Sequence, residues 1–168
     1  MGIFKFKGQY EFLALDYPAP VKVKGYTYDN AKRAFAAIRF TDEEMLQMCI
    51  TCDDKTLNYV IGTLNRGPFI EGDFALRVQD YLMIVIEEKF KDKHLRDLLL
   101  ATGDEKIIYL DKDIVLGVHK RQGSNLLGKC LMKVREEVNN ENHSDKKSTD
   151  KNKDRVKTIE ELFEDFEI

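Results

Sequence analysis

Apolar and polar positions recur along this chain with two different periods, and the change between them marks the elements. Near the amino end the period is close to two. Ile3-Phe4-Lys5-Phe6 and Tyr10-Glu11-Phe12-Leu13 flank Gly8 and predict a hairpin. Tyr17-Pro18-Ala19-Pro20 interrupts regular structure. Alternation resumes in Val21-Lys22-Val23-Lys24 and Tyr26-Thr27-Tyr28, around Gly25. From Asp29 the period becomes helical. Ala31, Ala34, Phe35 and Ile38 share one face, with Asp29 or Asn30 as the cap. Thr41-Asp42-Glu43-Glu44 has the form of a capping box and predicts a helix carrying Met45, Met48, Cys49 and Cys52. Asp53 and Asp54 open another, with Leu57, Val60, Ile61 and Leu64 inward. Residues 66–73, RGPFIEGD, predict a loop, and a longer helix follows over about 74–90 with Leu76, Tyr81, Leu82, Ile84, Val85 and Ile86 in its core face.

Residues 95–138 carry the firmest pattern. Leu95, Leu98, Leu99 and Thr102 lie at helical spacing, and Gly103 supplies a left-handed stop. Ile107-Ile108-Tyr109-Leu110 is short and rich in strand formers, which predicts a buried strand. A last helix sets Leu127, Leu131, Val134 and Val138 on one face, bordered by Cys130 and Met132. The fold class is therefore α+β, mainly helical with a small β-sheet, in one domain over residues 1–138.

Beyond that point the pattern dissolves. Residues 139–157, NNENHSDKKSTDKNKDRVK, bury too little apolar area to offset backbone ordering, which predicts a flexible linker. Thr158-Ile159-Glu160-Glu161 then has capping-box form, and Ile159, Leu162, Phe163 and Phe166 make a stripe at i, i+3, i+4 and i+7. A short amphipathic helix after a solvated linker needs a surface to dock on, its own domain or a partner's.

Charge sharpens this division. Six of the 27 cations and nine of the 30 acids fall in residues 139–168, so the body carries equal numbers of each. Residues 158–168 hold five acids and no base. A neutral body with an acidic end does not fit direct nucleic-acid binding and suits a basic protein surface. Neither a long apolar run nor a signal-peptide block is present, so the expected compartment is the cytoplasm, with no membrane role. Cys49, Cys52 and Cys130 read as reduced thiols. Cys49-Ile-Thr-Cys52 has metal-type spacing but no second pair of ligands, so no metal or cofactor is expected.

Catalytic motifs are scarce. The chain lacks a GxSxG elbow, a P-loop, a GxGxxG turn and an HExxH helix. His94 and His143 fall in solvated surroundings. His119 lies with Lys120 and Arg121 in a loop between Gly117 and Gly123, preceded by Asp111 and Asp113, which read as turn formers before acid–base groups.

On these residues the chain resembles the NADAR family, the YbiA-like N-glycosidases that act on ribosylated small molecules and ADP-ribose-type linkages. The likeness covers most of residues 10–138. It is clearest in LRDLLLATGD (95–104), in the segment ending at Leu116-Gly117, and in GSNLLGKCLMKVRE (123–136). A weaker match is FLALDYPAP (12–20), where Phe12, Leu13, Tyr17 and Pro18 fit a Phe-Leu-Ser-Asn-Phe-Tyr-Pro run. YDNAKRAFAAIRF (28–40) is similar to the helix that carries the family's catalytic Glu. The resemblance places Lys32 where that Glu stands, Leu15 where an Asn stands, and Leu116 where a Trp precedes the glycine. Glycoside hydrolysis needs a carboxylate beside the developing oxocarbenium charge, and Lys32 has the opposite sign. The resemblance thus implies a scaffold without catalytic residues.

The length, the Lys/Asn/Asp-rich linker and the acidic end also resemble those of staphylococcal-phage (Twort-type) inhibitors of the host replication sliding clamp. That likeness implies a non-catalytic inhibitor, a possible homodimer, with the clamp as partner. Ile159, Glu160, Glu161, Leu162 and Phe163, with Phe166, are then the partner-binding residues. Leu162 and Phe163 fit a clamp-binding Gln-Leu-(Ser/Asp)-Leu-Phe pentamer; Ile159 and Glu160 depart from it. The alternative is an N-glycosidase for ribosylated or ADP-ribosylated small molecules whose carboxylate has moved to Asp111, Asp113 or Asp29.

Overall fold

The computed structural model describes residues 2–62, 74–113 and 116–147. The fold is mixed α+β and mostly helical, as the periodicity predicts. In chain order the elements are β1 (Gly2–Ile3), a 3-10 helix (Gly8–Leu13), β2 (Pro18–Val23), β3 (Tyr26–Asn30), α1 (Ala31–Ile38) and α2 (Glu43–Thr51). They continue with α3 (Asp54–Gly62), α4 (Phe74–Lys89), α5 (Lys93–Ala101), β4 (Lys106–Ile107) and α6 (Leu126–Lys147). The strands form two separate pairs: β1 runs parallel to β4, and β2 antiparallel to β3.

α1 and α4 form the centre. In α1, Ala34, Phe35, Ala36 and Ala37 are all buried, because this helix packs against α2, α3, α4 and both strands of the hairpin. Alanines permit that close approach on every side. From α4, Leu82, Met83, Val85 and Ile86 are fully buried against α1, α6 and β2. Tyr28 ties β3 to α2 by donating its hydroxyl to the Leu46 carbonyl at 2.8 Å. In the β2–β3 hairpin, Lys24 (φ 51°) and Gly25 (φ 86°) are the left-handed pair that a two-residue turn requires.

Four expectations are corrected. Residues 10–13 belong to a 3-10 helix, so no hairpin forms around Gly8. Phe12 and Leu13 are both buried, and consecutive residues cannot face one side of a strand. The second helix is capped by Asp42, whose side chain accepts from Glu44 N at 2.9 Å, in place of the box that begins at Thr41. The strand expected over 107–110 shrinks to Lys106–Ile107; Leu110 makes one bridge to Val118 and is 52% exposed. α6 continues through Lys147, so residues 139–147 are helical and not linker. An apolar face docked over Leu127, Leu131, Val134 and Val138 nucleates that helix, and elongation past a nucleus fixes only one residue per bond. The Arg96–Glu141 ion pair at 2.8 Å secures the extension to α5.

Candidate functional site

The exit of the 3-10 helix, residues 14–17, lies against the start of α1 and the end of α4. Asn30 caps α1 by accepting from Arg33 N at 2.9 Å. The backbone N–H of Lys32 donates to the Leu15 carbonyl at 2.9 Å, so residues 15 and 32 are adjacent in space. On the neighbouring carbonyl, Ala14, lands the ammonium of Lys89, which donates at 2.7 Å. Lys89 is 1% exposed and lies 5.7 Å from the Tyr17 ring and 5.4 Å from the Phe90 ring. Burial pulls its pKa down to about 7, against the opposing pull of the exposed Asp16 carboxylate.

A second group of residues closes on the same region from the far end of the chain. Asn125, left-handed at φ 51°, grips one stretch of backbone at two points: it accepts from Tyr109 N at 2.9 Å and donates to the Ile107 carbonyl at 3.0 Å. Tyr109 stacks on Phe6 with ring centroids 5.2 Å apart and donates its hydroxyl to Asp111 at 3.2 Å. Burial, and after it the charges of Asp111, Asp113 and Asp16, push the phenol up to about 12. Asp16 therefore acts on both Lys89 and Tyr109. Asp111 also closes a turn by accepting from Asp113 N at 2.9 Å, as expected of turn formers. Leu116 is 8% exposed and passes its carbonyl to Leu127 N at 2.9 Å, so it is a core residue at the head of the Gly117 turn. At Gly117 any side chain would overlap the Tyr109 carbonyl.

Beside this region lies an open groove of about 570 Å³ lined by Leu110, Asp111, Lys112, Val118, His119 and Lys120. Its rim is a two-residue turn. His119 N donates to Gln122 O at 2.8 Å and Gln122 N returns to His119 O at 3.0 Å. The central residues, Lys120 (φ 49°) and Arg121 (φ 66°), are both left-handed. Such turns favour Asn-Gly, and a left-handed non-glycine costs about 1 kcal/mol. Two cations are thus held on a strained tip.

The remaining candidates separate from this cluster. Cys49 and Cys52 are free thiols, the first buried and the second half-buried. Burial raises Cys49 to about 11, the reverse of what a redox or metal-binding thiolate needs. Among the described residues, no three or more His, Cys, Asp or Glu are grouped to hold a metal ion. His94 is exposed at the start of α5; His143 is exposed on α6, bonded to the Asn139 carbonyl. Asp29 is exposed on β3. The expected partner-binding residues Ile159, Glu160, Glu161, Leu162, Phe163 and Phe166 lie outside the described residues.

Lys89 and Asp16 are the functional candidates that the sequence reading missed. Lys89 had a signal: it continues the stripe of Leu82, Val85 and Ile86, where a charge must be buried. Asp16 had none, because only the fold brings it toward Tyr109.

Comparison with known proteins fits this arrangement. The model of the NADAR domain matches residues 3–139. The NMR structure of the E. coli protein YbiA superposes with a TM-score of 0.70 at 23% identity, covering 85% of this chain and 86% of that one, a likeness of fold. No curated protein matches. No helix among the described residues is long and apolar enough to cross a membrane. With its family model spanning both the residue 12–40 region and the residue 95–136 region, the chain belongs to the NADAR domain family.

Proposed function

We propose that this NADAR-family protein does not hydrolyse glycosides and acts instead as a protein-binding inhibitor. Its partner is a bacterial replication sliding clamp, and its compartment is the host cytoplasm. The observation that carries the non-catalytic reading is the pair of lysines at the first motif. Lys32 stands at the position of the family's carboxylate, with its backbone on the Leu15 carbonyl, and the Lys89 ammonium occupies the next carbonyl. Positive charge there opposes an oxocarbenium-like transition state. Leu116, buried where an aromatic wall is expected, removes a stacking surface.

The acidic, apolar-striped segment 158–168 supports the binding role. A sliding clamp is lined with basic residues for DNA, so acidic side chains match its channel while Leu162 and Phe163 suit an apolar pocket. Capture of the clamp by the full chain tests this, with 158–168 deleted as the comparison. Loss of capture on deletion supports the segment's role. No capture by the full chain ends the reading.

One observation favours a second reading, an N-glycosidase with a relocated carboxylate: Asp111 accepts from the Tyr109 hydroxyl at 3.2 Å and from Asp113 N at 2.9 Å beside the open groove. Release of free ribose phosphate from ribosylated substrates, abolished by Asp111→Asn, would replace the first reading with this one.

A further inference from the structure

We propose that the groove beside Leu110 is a docking site for the chain's own acidic segment, residues 158–168, which the body holds when no partner is bound. The groove has an apolar floor, and its rim carries Lys112 and Lys120 with the Asp111 carboxylate, which Tyr109 and the Asp113 N–H both engage. Leu110 is 52% exposed although its neighbours in sequence are half-buried or better paired, and Val118 faces it across a single bridge. Lys112, Lys120 and Arg121 are exposed around it, and among the described residues they form no ion pair. The segment offers the complement: Ile159, Leu162, Phe163 and Phe166 for the floor, with Glu160, Glu161, Glu164, Asp165 and Glu167 for the rim.

The strained tip points the same way. Lys120 and Arg121 sit at left-handed positions that Asn-Gly would fill without strain, so the turn itself does not call for these two residues. Their charge is what the choice contributes.

Reach permits the contact. α6 begins one residue after Asn125, the side chain that fixes Tyr109, and its 22 residues carry Lys147 roughly 33 Å away at 1.5 Å per residue. Residues 148–158, fully extended at about 3.3 Å each, span about 36 Å, enough to return. Because the groove and segment share one chain, docking acts at a high effective concentration and needs only weak affinity.

The contact itself stands on the groove and the segment. Its regulatory meaning, that a partner must displace the segment, rests on the proposed reading of 159–166 as partner-binding.

The test is amide hydrogen exchange of the full chain, read at residues 158–168 and 109–112, for wild type, for Lys120→Asn with Arg121→Gly, and for Phe163→Ala. The first variant removes two cations while relaxing the turn; the second leaves the body unaltered. Two-thirds occupancy slows exchange about threefold. The expected result is that amides of 158–168 exchange roughly threefold faster in the turn variant, that 109–112 exchange faster in Phe163→Ala, and that salt mimics both. Equal rates in all three proteins overturn the proposal. Protection that fades on dilution assigns the contact to a second copy and overturns it as well. Clamp capture on the same samples separates the two readings: capture with equal exchange rates leaves the inhibitor reading standing and removes this one.

Discussion

The Lys89 ammonium donates to the Ala14 carbonyl across 75 residues of chain, at 2.7 Å, from a side chain that is 1% exposed. It fixes the exit of the 3-10 helix to the end of α4 and sets a buried charge under the first family motif.

That charge predicts a pH dependence. The folded pKa, about 7, lies below the ordinary 10.5, so between these values the unfolded chain holds the extra proton and stability rises with pH. Tyr28 and Cys49, both raised by burial, act oppositely at high pH, so a difference measurement is needed. Wild type minus Lys89→Met, from urea midpoints at pH 7, 8 and 9, should gain on the order of 1 kcal/mol per pH unit. A flat difference would refute the lowered pKa of the buried Lys89 amine.

Glu87 gives the reverse sign. It is half-buried and raised to about 7, first by burial and then by Glu137 and Glu88. The folded chain holds the proton between about 4.5 and 7, so this stabilisation is present at pH 4.5 and is lost as pH climbs through 7. Glu87→Gln should therefore stabilise the protein by roughly 1–3 kcal/mol at pH 8 and by little at pH 5. Guanidinium unfolding at the two pH values distinguishes the outcomes.

Gly128 looks replaceable, since it lies in α6, where alanine is favoured by about 1 kcal/mol. A Cβ there would overlap the Ile107 carbonyl and the Asn125 side chain. Gly128→Ala should thus lose about 2 kcal/mol or more, because overpacking outweighs propensity. A thermal melt that rises would contradict the close approach of α6 to β4.

At the strained turn, Lys120→Asn with Arg121→Gly should raise stability by about 1 kcal/mol, as both positions become conformationally at ease. Thermal denaturation measures it, and a drop in midpoint would mean that the two side chains have intramolecular partners of greater worth.

The sequence by itself determined the helices, their inward faces and the change of chemistry after residue 138. These follow from local spacing: Leu127, Leu131, Val134 and Val138 must share a face wherever the helix docks. Membership of the family was also legible, since the stretches 95–104 and 123–136 that carry the likeness are local. Residues 10–13 misread because Phe12 and Leu13 satisfy a strand pattern until both must enter one core. The end of α6 misread because a polar sequence extends a helix only when a docked part nucleates it. Tertiary structure alone decided that Lys32 meets Leu15, that Lys89 reaches Ala14, and that Asp16 acts on Tyr109. Each of these relationships joins residues far apart in the chain, where no periodicity carries information and packing sets the distance.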